Sequence, residues 1–229
     1  MLWPVWHWKM NMGIVINLYQ SNQRLFILRP VRIWVLIFSF FFVFLPERKV
    51  SGHSHVWIHS AVVFQFDKNG LSGFKQEWVF DEMFSNMIIH DFDKNQNGRF
   101  EVAEVKEVYK DAFSNLKKFD YFTHVKINGK PFSVKFVKDF NARIAKDMVV
   151  YHFFVPCHIK ATSSYKEIRV GIYDESFYTS VTLYKDLILF KNDSEYEHQH
   201  EVALNKDEPY YFGQVYPEEI VVKFRKRNE

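Results

Sequence analysis

From Val56 onward, apolar side chains recur at every second position, and a chain with that period has to build pleated sheet with one dry face. Val56, Ile58, Val62, Phe64 and Phe66 share one face, while His55, Trp57, His59 and Gln65 share the other, the pattern of a half-buried strand. Asp67-Lys68-Asn69-Gly70 is a turn signal, so residues 71–80 return as the second strand of a hairpin. Period two resumes after Asp120. Residues 121–127, an Asn128-Gly129 turn and residues 132–140 read as another hairpin. Further strands are expected at 148–155, 167–173, 180–184 and 219–224, with 192–201 as an acidic, histidine-bearing loop.

Between these strand-rich parts the period lengthens. Asp81 can cap a helix over residues 82–90 with Phe84, Met87 and Ile88 on its apolar side. A second helix over 102–119 aligns Val105, Val108, Ala112, Leu116 and Phe119. The expected fold class is α+β: mainly antiparallel β in two packed sheets, with a helix-loop-helix insertion at about residues 81–119. An aromatic content of 19%, with 25 Phe, suits the large core such sheets enclose.

The loop inside that insertion is the most specific signal. Residues 93–104 read DKNQNGRFEVAE and match the loop of an EF-hand. Side-chain oxygens of Asp93, Asn95 and Asn97 fall at the first, third and fifth places. Gly98 at the sixth permits the sharp turn, and Arg99 offers its backbone carbonyl at the seventh. Glu101 at the ninth acts directly or through water, and Glu104 at the twelfth chelates with both oxygens. Hard oxygen donors in this order select Ca2+. Three carboxylates with two neutral amides place the site in the weak, ~0.1–1 mM class of extracellular modules. With one loop and no evident partner, the expected role is structural: the ion fixes the angle between the flanking helices. The plainer alternative is a polar turn that binds nothing.

His53, His55 and His59 occupy odd positions, hence one strand face. Imidazoles on a rigid strand suit Ni2+, Co2+, Cu2+ or Zn2+. If the chain is cut before His53, the new amine, two backbone amides and His55 also offer a planar four-nitrogen set for Cu2+ or Ni2+. A second pair, His198 and His200, repeats the spacing within Glu197-His198-Gln199-His200-Glu201. The alternative for both groups is a solvated strand face and loop. His90, His124, His152 and His158 read as surface or satisfied core residues, and the lone Cys157 as a small buried hydrophobe. One cysteine excludes an intrachain disulfide and a Cys-x-x-Cys zinc or redox pair.

Residues 33–45 (IWVLIFSFFFVFL) carry no charge over 13 positions. As a helix they cover about 20 Å, short of the ~30 Å hydrocarbon core. They read as a secretory core segment, with Val50 and Gly52 in the tolerated places before a cut at His53. Residues 1–52 are then removed, and 53–229 form a single mature domain, periplasmic or secreted. The alternatives are an uncleaved leader, which would supply the only membrane contact, and a buried core segment. The formal charge of +3 also belongs to the leader. Six of the 30 basic residues and one of the 27 acidic residues lie in 1–52, so the remainder has 24 basic and 26 acidic residues, a charge of −2. No basic stripe is left to track phosphates, which removes the nucleic-acid reading. No Gly-x-Ser-x-Gly elbow, glycine-rich phosphate loop or His-Glu-x-x-His occurs, and the pairs Asp81-Glu82 and Asp174-Glu175 read as a helix cap and a turn. No enzyme is expected.

His53-Ser54-His55-Val56-Trp57-Ile58 after a leader, Glu77-Trp78, Phe80-Asp81-Glu82, Phe84, the loop 93–104, Tyr121-Phe122-Thr123, Val170-Gly171-Ile172-Tyr173-Asp174 and Phe177-Tyr178 together resemble the bacterial family of domain of unknown function 1007. The resemblance implies a periplasmic component of a transport system, associated with nickel or cobalt permeases. Two departures matter: Ser54 stands where the family has proline in His-Pro-His, and Asp174-Glu175-Ser176-Phe177 replaces Asp-Pro-Thr followed by an aromatic residue. A planar amide-nitrogen site would thus be particular to this chain, because proline has no N–H to lose. The expected function is a secreted or periplasmic calcium-binding protein, a non-enzymatic accessory of transition-metal transport. Its partners would be metal ions and an inner-membrane metal permease. The alternative is a structural or protein-interaction module with one structural calcium ion and no transition-metal role.

Overall fold

β1 (Val56–Asp67) and β2 (Gly70–Phe80) form the expected hairpin, with Phe64 opposite Phe74 and Ile58 opposite Phe80. Asp67 Oδ1 accepts from the Asn69 N–H at 2.8 Å and closes the turn. At Gly70 (φ +144) a Cβ would meet the Ile159 carbonyl at 2.2 Å, so glycine is what lets the next strand come alongside. These features belong to a computed structural model that describes residues 54–227. Expectations about the leader and about His53 lie outside the described residues.

Two five-stranded sheets follow. β5 (Lys138–Ala145) and β6 (Met148–Lys160) extend the hairpin on one side and β8 (Thr179–Lys191) on the other, in the order β5-β6-β2-β1-β8. The β1–β8 pair is parallel. The second sheet takes β3 (Thr123–Ile127), β4 (Lys130–Phe132), β7 (Lys166–Ile172), β9 (Tyr196–Leu204) and β10 (Glu218–Lys226) in the order β4-β3-β7-β10-β9, with antiparallel pairing throughout. The chain is therefore mostly β, in two packed, largely antiparallel sheets. Phe64, Phe66, Phe74, Trp78 and Phe153 of the first sheet meet Val125, Ile168, Val170, Ile220 and Phe224 of the second in one core. Each such side chain contributes about 1.5–3 kcal/mol when fully buried. The rings of Phe66 and Phe224 meet edge to face at 5.3 Å and stitch the layers together.

α1 (Glu82–Phe92) starts where its cap predicts: Asp81 Oδ1 accepts from the Phe84 N–H at 3.0 Å. Its inner face is narrower than expected, since Ile88 is buried but Met87 is exposed. The second helix is much shorter than residues 102–119. α2 (Val102–Glu107) passes into a π turn (Val108–Ala112) and then 3-10 turns (Phe113–Phe122). The π turn adds a residue and resets the helical phase, so that Phe113 faces the core, 4.3 Å from Phe140 and 5.0 Å from Phe153. Phe119 is left exposed.

Three other expectations change. The strand expected from Tyr121 begins at Thr123, because Asp120, Tyr121 and Phe122 all have positive φ. The strand expected over 132–140 is split: β4 stays with the second sheet, β5 joins the first, and the chain between them buries Val134 while crossing. Residues 192–201 are not a loop through most of their length. β9 pairs with β10 as an edge strand, with Val222 opposite His200 and Phe224 opposite His198. Its charged side chains are those that keep an edge from recruiting other chains.

Candidate metal centre

The segment 93–104 joins α1 to α2. Asp93 ends α1, its N–H bonded to the Ile89 carbonyl at 2.9 Å. The chain then turns tightly through Gln96 (φ +55) and Gly98 (φ +76). Asp93 spans that turn, with Oδ1 accepting from Asn97 N at 3.1 Å and Oδ2 from Gly98 N at 2.9 Å. Asn95 Oδ1 accepts from Asn97 N, and Asn97 Oδ1 from Arg99 N, both at 3.1 Å. Asn97 Nδ2 and Arg99 Nε both donate to Glu101 Oε1, at 2.9 and 3.1 Å. Glu104 ties the two ends together: Oε1 accepts from Lys94 N and Oε2 from Glu101 N, each at 2.8 Å.

The electrostatics of this loop are unbalanced. Asp93 and Glu104 are only 5% and 6% exposed, and among the described residues neither forms an ion pair. Their partners are backbone N–H groups. Buried Glu219, by contrast, has Lys126 and Arg169 each at 3.7 Å. Buried carboxylates without a cation are costly unless a proton or a metal neutralises them. Each carboxylate oxygen here still has a lone pair beyond the N–H it accepts, and amide oxygens and the Arg99 carbonyl supply the rest of a hard-oxygen set suited to calcium. Among the described residues no three His, Cys, Asp or Glu side chains form a metal-holding group by themselves, so an ion at this loop depends on the Asn95, Asn97 and Arg99 oxygens.

The histidines are dispersed. His55 packs against Tyr178 with ring centroids 5.0 Å apart, and His59 stacks on Tyr184 at 5.0 Å. Four residues apart on an extended strand, their backbones are separated by about 13 Å. His198 and His200 lie in the other sheet, both against Phe190. His198 Nε2 is 2.7 Å from Asp193 Oδ2, and that hydrogen bond holds the Asp193 carboxyl below the usual carboxylate range. Burial pushes the Cys157 thiol up to about 12, so at neutral pH it is a buried thiol and no thiolate ligand.

Two clefts went unread in the sequence, because their walls come from distant segments. A cleft of about 750 Å3 is lined by His124, Lys126, Tyr173, Tyr210 and Glu219, among others. The Tyr173 ring stacks on His124 at 3.8 Å, and burial with Glu175, Glu208 and Glu219 nearby keeps its phenol protonated well above the ordinary range. A second, mostly apolar cavity of about 370 Å3 lies between the helical insertion and the first sheet.

Residues 38–209, well over half of the chain, match the family described as "Protein of unknown function (DUF1007)". An uncharacterised 15.5 kDa protein in the trpE 3′ region of Spirochaeta aurantia is 34% identical over 98 residues, covering 43% of this chain and 69% of that protein.

Proposed function

This chain belongs to the DUF1007 family, and on that premise we propose that it is a calcium-stabilised binding module working outside the cytoplasm. In this reading Asp93, Asn95, Asn97, Glu101 and Glu104, with the Arg99 carbonyl, hold one calcium ion. Bound there, calcium supplies a neutralising charge and a rigid cross-link between the end of α1 and the start of α2. The observation that carries the reading is the pair of buried carboxylates, Asp93 and Glu104, at opposite ends of one loop with no basic partner among the described residues. The apolar run 33–45 and a site of weak class suit an exported protein, where calcium is abundant.

Melting temperature against calcium tests it. Ligand at about 100 times Kd adds about 2.7 kcal/mol to the native state, which for a domain of this size corresponds to a rise of about 5–10 °C. Glu104→Gln should lose most of that rise while magnesium at equal concentration gives little. An equal rise in the variant sinks the proposal.

The wider reading, an accessory of nickel, cobalt, copper or zinc transport that meets an inner-membrane permease, has one observation in its favour: His59 on β1 and His55 immediately before that strand are both exposed. Elemental analysis of protein purified without chelator decides it. A stoichiometric transition metal abolished by His55→Ala supports transport, and calcium alone supports the module.

A further inference from the structure

The apolar cavity is bounded on one side by Ile58, Trp78 and Tyr151 of the first sheet and on the other by Phe84, Phe113 and Leu116 of the helical insertion. Phe119 and Tyr178 also line it, and at 53% and 57% exposed they mark its mouth. Protein interiors are close-packed and leave few voids larger than a water molecule. A dry, apolar cavity of about 150 Å3 is already enough to take up benzene, and this one, at about 370 Å3, lies within the size range of small-molecule sites.

Its polar groups are few, and most are engaged. Asp174 Oδ1 accepts from Ser176 N and Ser176 Oγ at 2.9 and 2.7 Å, and Oδ2 accepts from Thr179 N at 3.0 Å. Trp78 Nε1 donates to Gln76 Oε1 at 2.8 Å. The Tyr151 hydroxyl differs: the residue is 2% exposed, and its oxygen is buried with no hydrogen-bond partner among the described residues. Burial keeps this phenol protonated, and with its oxygen sealed from anything the size of water it offers the cavity no open hydrogen-bonding group.

The wall beside the mouth is held under strain. Asp120, Tyr121 and Phe122 have φ of +49, +54 and +52, a conformation that costs non-glycine residues and gathers at ligand clamps. Gln76 Nε2 donates to Thr123 Oγ1 at 2.8 Å, and Thr123 Oγ1 donates to the Tyr121 carbonyl at 2.8 Å. That chain of bonds holds the Phe122 ring, which lines the cavity, stacked on Trp78 at 6.3 Å.

We propose that this cavity is a binding site for an uncharged, ring-bearing small molecule, held by packing against its aromatic walls. The aromatic walls select the ring, and Asp174 disfavours an anionic head. The site rests on the cavity alone and stands whether or not residues 93–104 bind calcium.

The test is calorimetric titration of the full chain with three probes: 2-naphthol, naphthalene and 2-naphthoate. The expected result is saturable 1:1 binding of naphthalene and 2-naphthol, with 2-naphthoate weaker by about tenfold or more. 2-Naphthol and naphthalene should bind with affinities within about fivefold of each other, because no open polar group in the cavity distinguishes them by a net hydrogen bond. Ala112→Phe, which fills the cavity, should abolish saturable binding and with it separate the cavity from any uptake by the apolar run 33–45. Because a filled cavity can also unfold the protein, methyl and indole NMR shifts of Ile58 and Trp78 on adding 2-naphthol to wild type give a reading that needs no variant. Undisturbed Ile58 and Trp78 signals, unchanged binding in folded Ala112→Phe, or 2-naphthoate binding as tightly as naphthalene each overturn the proposal.

Discussion

Gln76 is completely buried in an apolar core, yet both ends of its amide are satisfied: Nε2 donates to Thr123 Oγ1 and Oε1 accepts from Trp78 Nε1, each at 2.8 Å. It links the two sheets by direction as well as by contact, since an amide has only one orientation that serves both partners. Gln76→Leu preserves volume but strands the indole N–H, so it should cost about 1–3 kcal/mol, read as a lower urea midpoint at unchanged slope. A loss below about 0.5 kcal/mol would show that the relay is incidental. Asp193 supplies a pH dependence. Its carboxyl is held low by His198, so the folded state releases that proton more readily than the unfolded one. The stability this contributes is present above the unfolded carboxylate value of about 3.9 and is lost as pH falls through the lower folded value. Asp193→Asn should flatten the fall in urea midpoint below about pH 4. The effect is small because the pair is solvent-screened.

Among the elements, the loop 93–104 passes through two left-handed residues, Gln96 and Gly98. Gly98 has φ +76, and a β-carbon added there would meet nothing within 4 Å, so its demand is conformational rather than steric. Gly98→Ala should cost about 1 kcal/mol by chemical denaturation without moving the core. This loop and the first hairpin were the most legible parts of the sequence, because Asp81, Gly98, Asn69 and Gly70 act through local backbone chemistry that spacing reveals. β9 was hidden for the opposite reason. Only Tyr196 on it is buried, and five consecutive polar residues, 197–201, leave the strand little period-two signal. The long second helix misled because Val105, Val108, Ala112 and Leu116 do fit one face until a π turn shifts the phase toward Phe113, and that shift answers to Phe140 and Phe153, far along the chain. The clefts were illegible for the same reason: Tyr151, Phe113 and Ile58 meet only after the sheets close.

For the whole molecule, the two sheets form one aromatic-rich core, and the helical insertion packs on the first sheet with the apolar cavity between them. Phe84 lies before the loop 93–104 and Leu116 after it, and both wall that cavity. Calcium bound at the loop, as proposed, would therefore stiffen one wall of the cavity while the first sheet supplies the other. The first thing such a module must bind is its metal. The most direct measurement is calcium titration of chelator-treated full-length protein by calorimetry, with Glu104→Gln in parallel. One site per chain is expected, with Kd of about 0.1–1 mM, weakened about tenfold or more in the variant. Absence of saturable calcium binding to folded protein, or equal affinity in Glu104→Gln, would contradict a calcium-stabilised module.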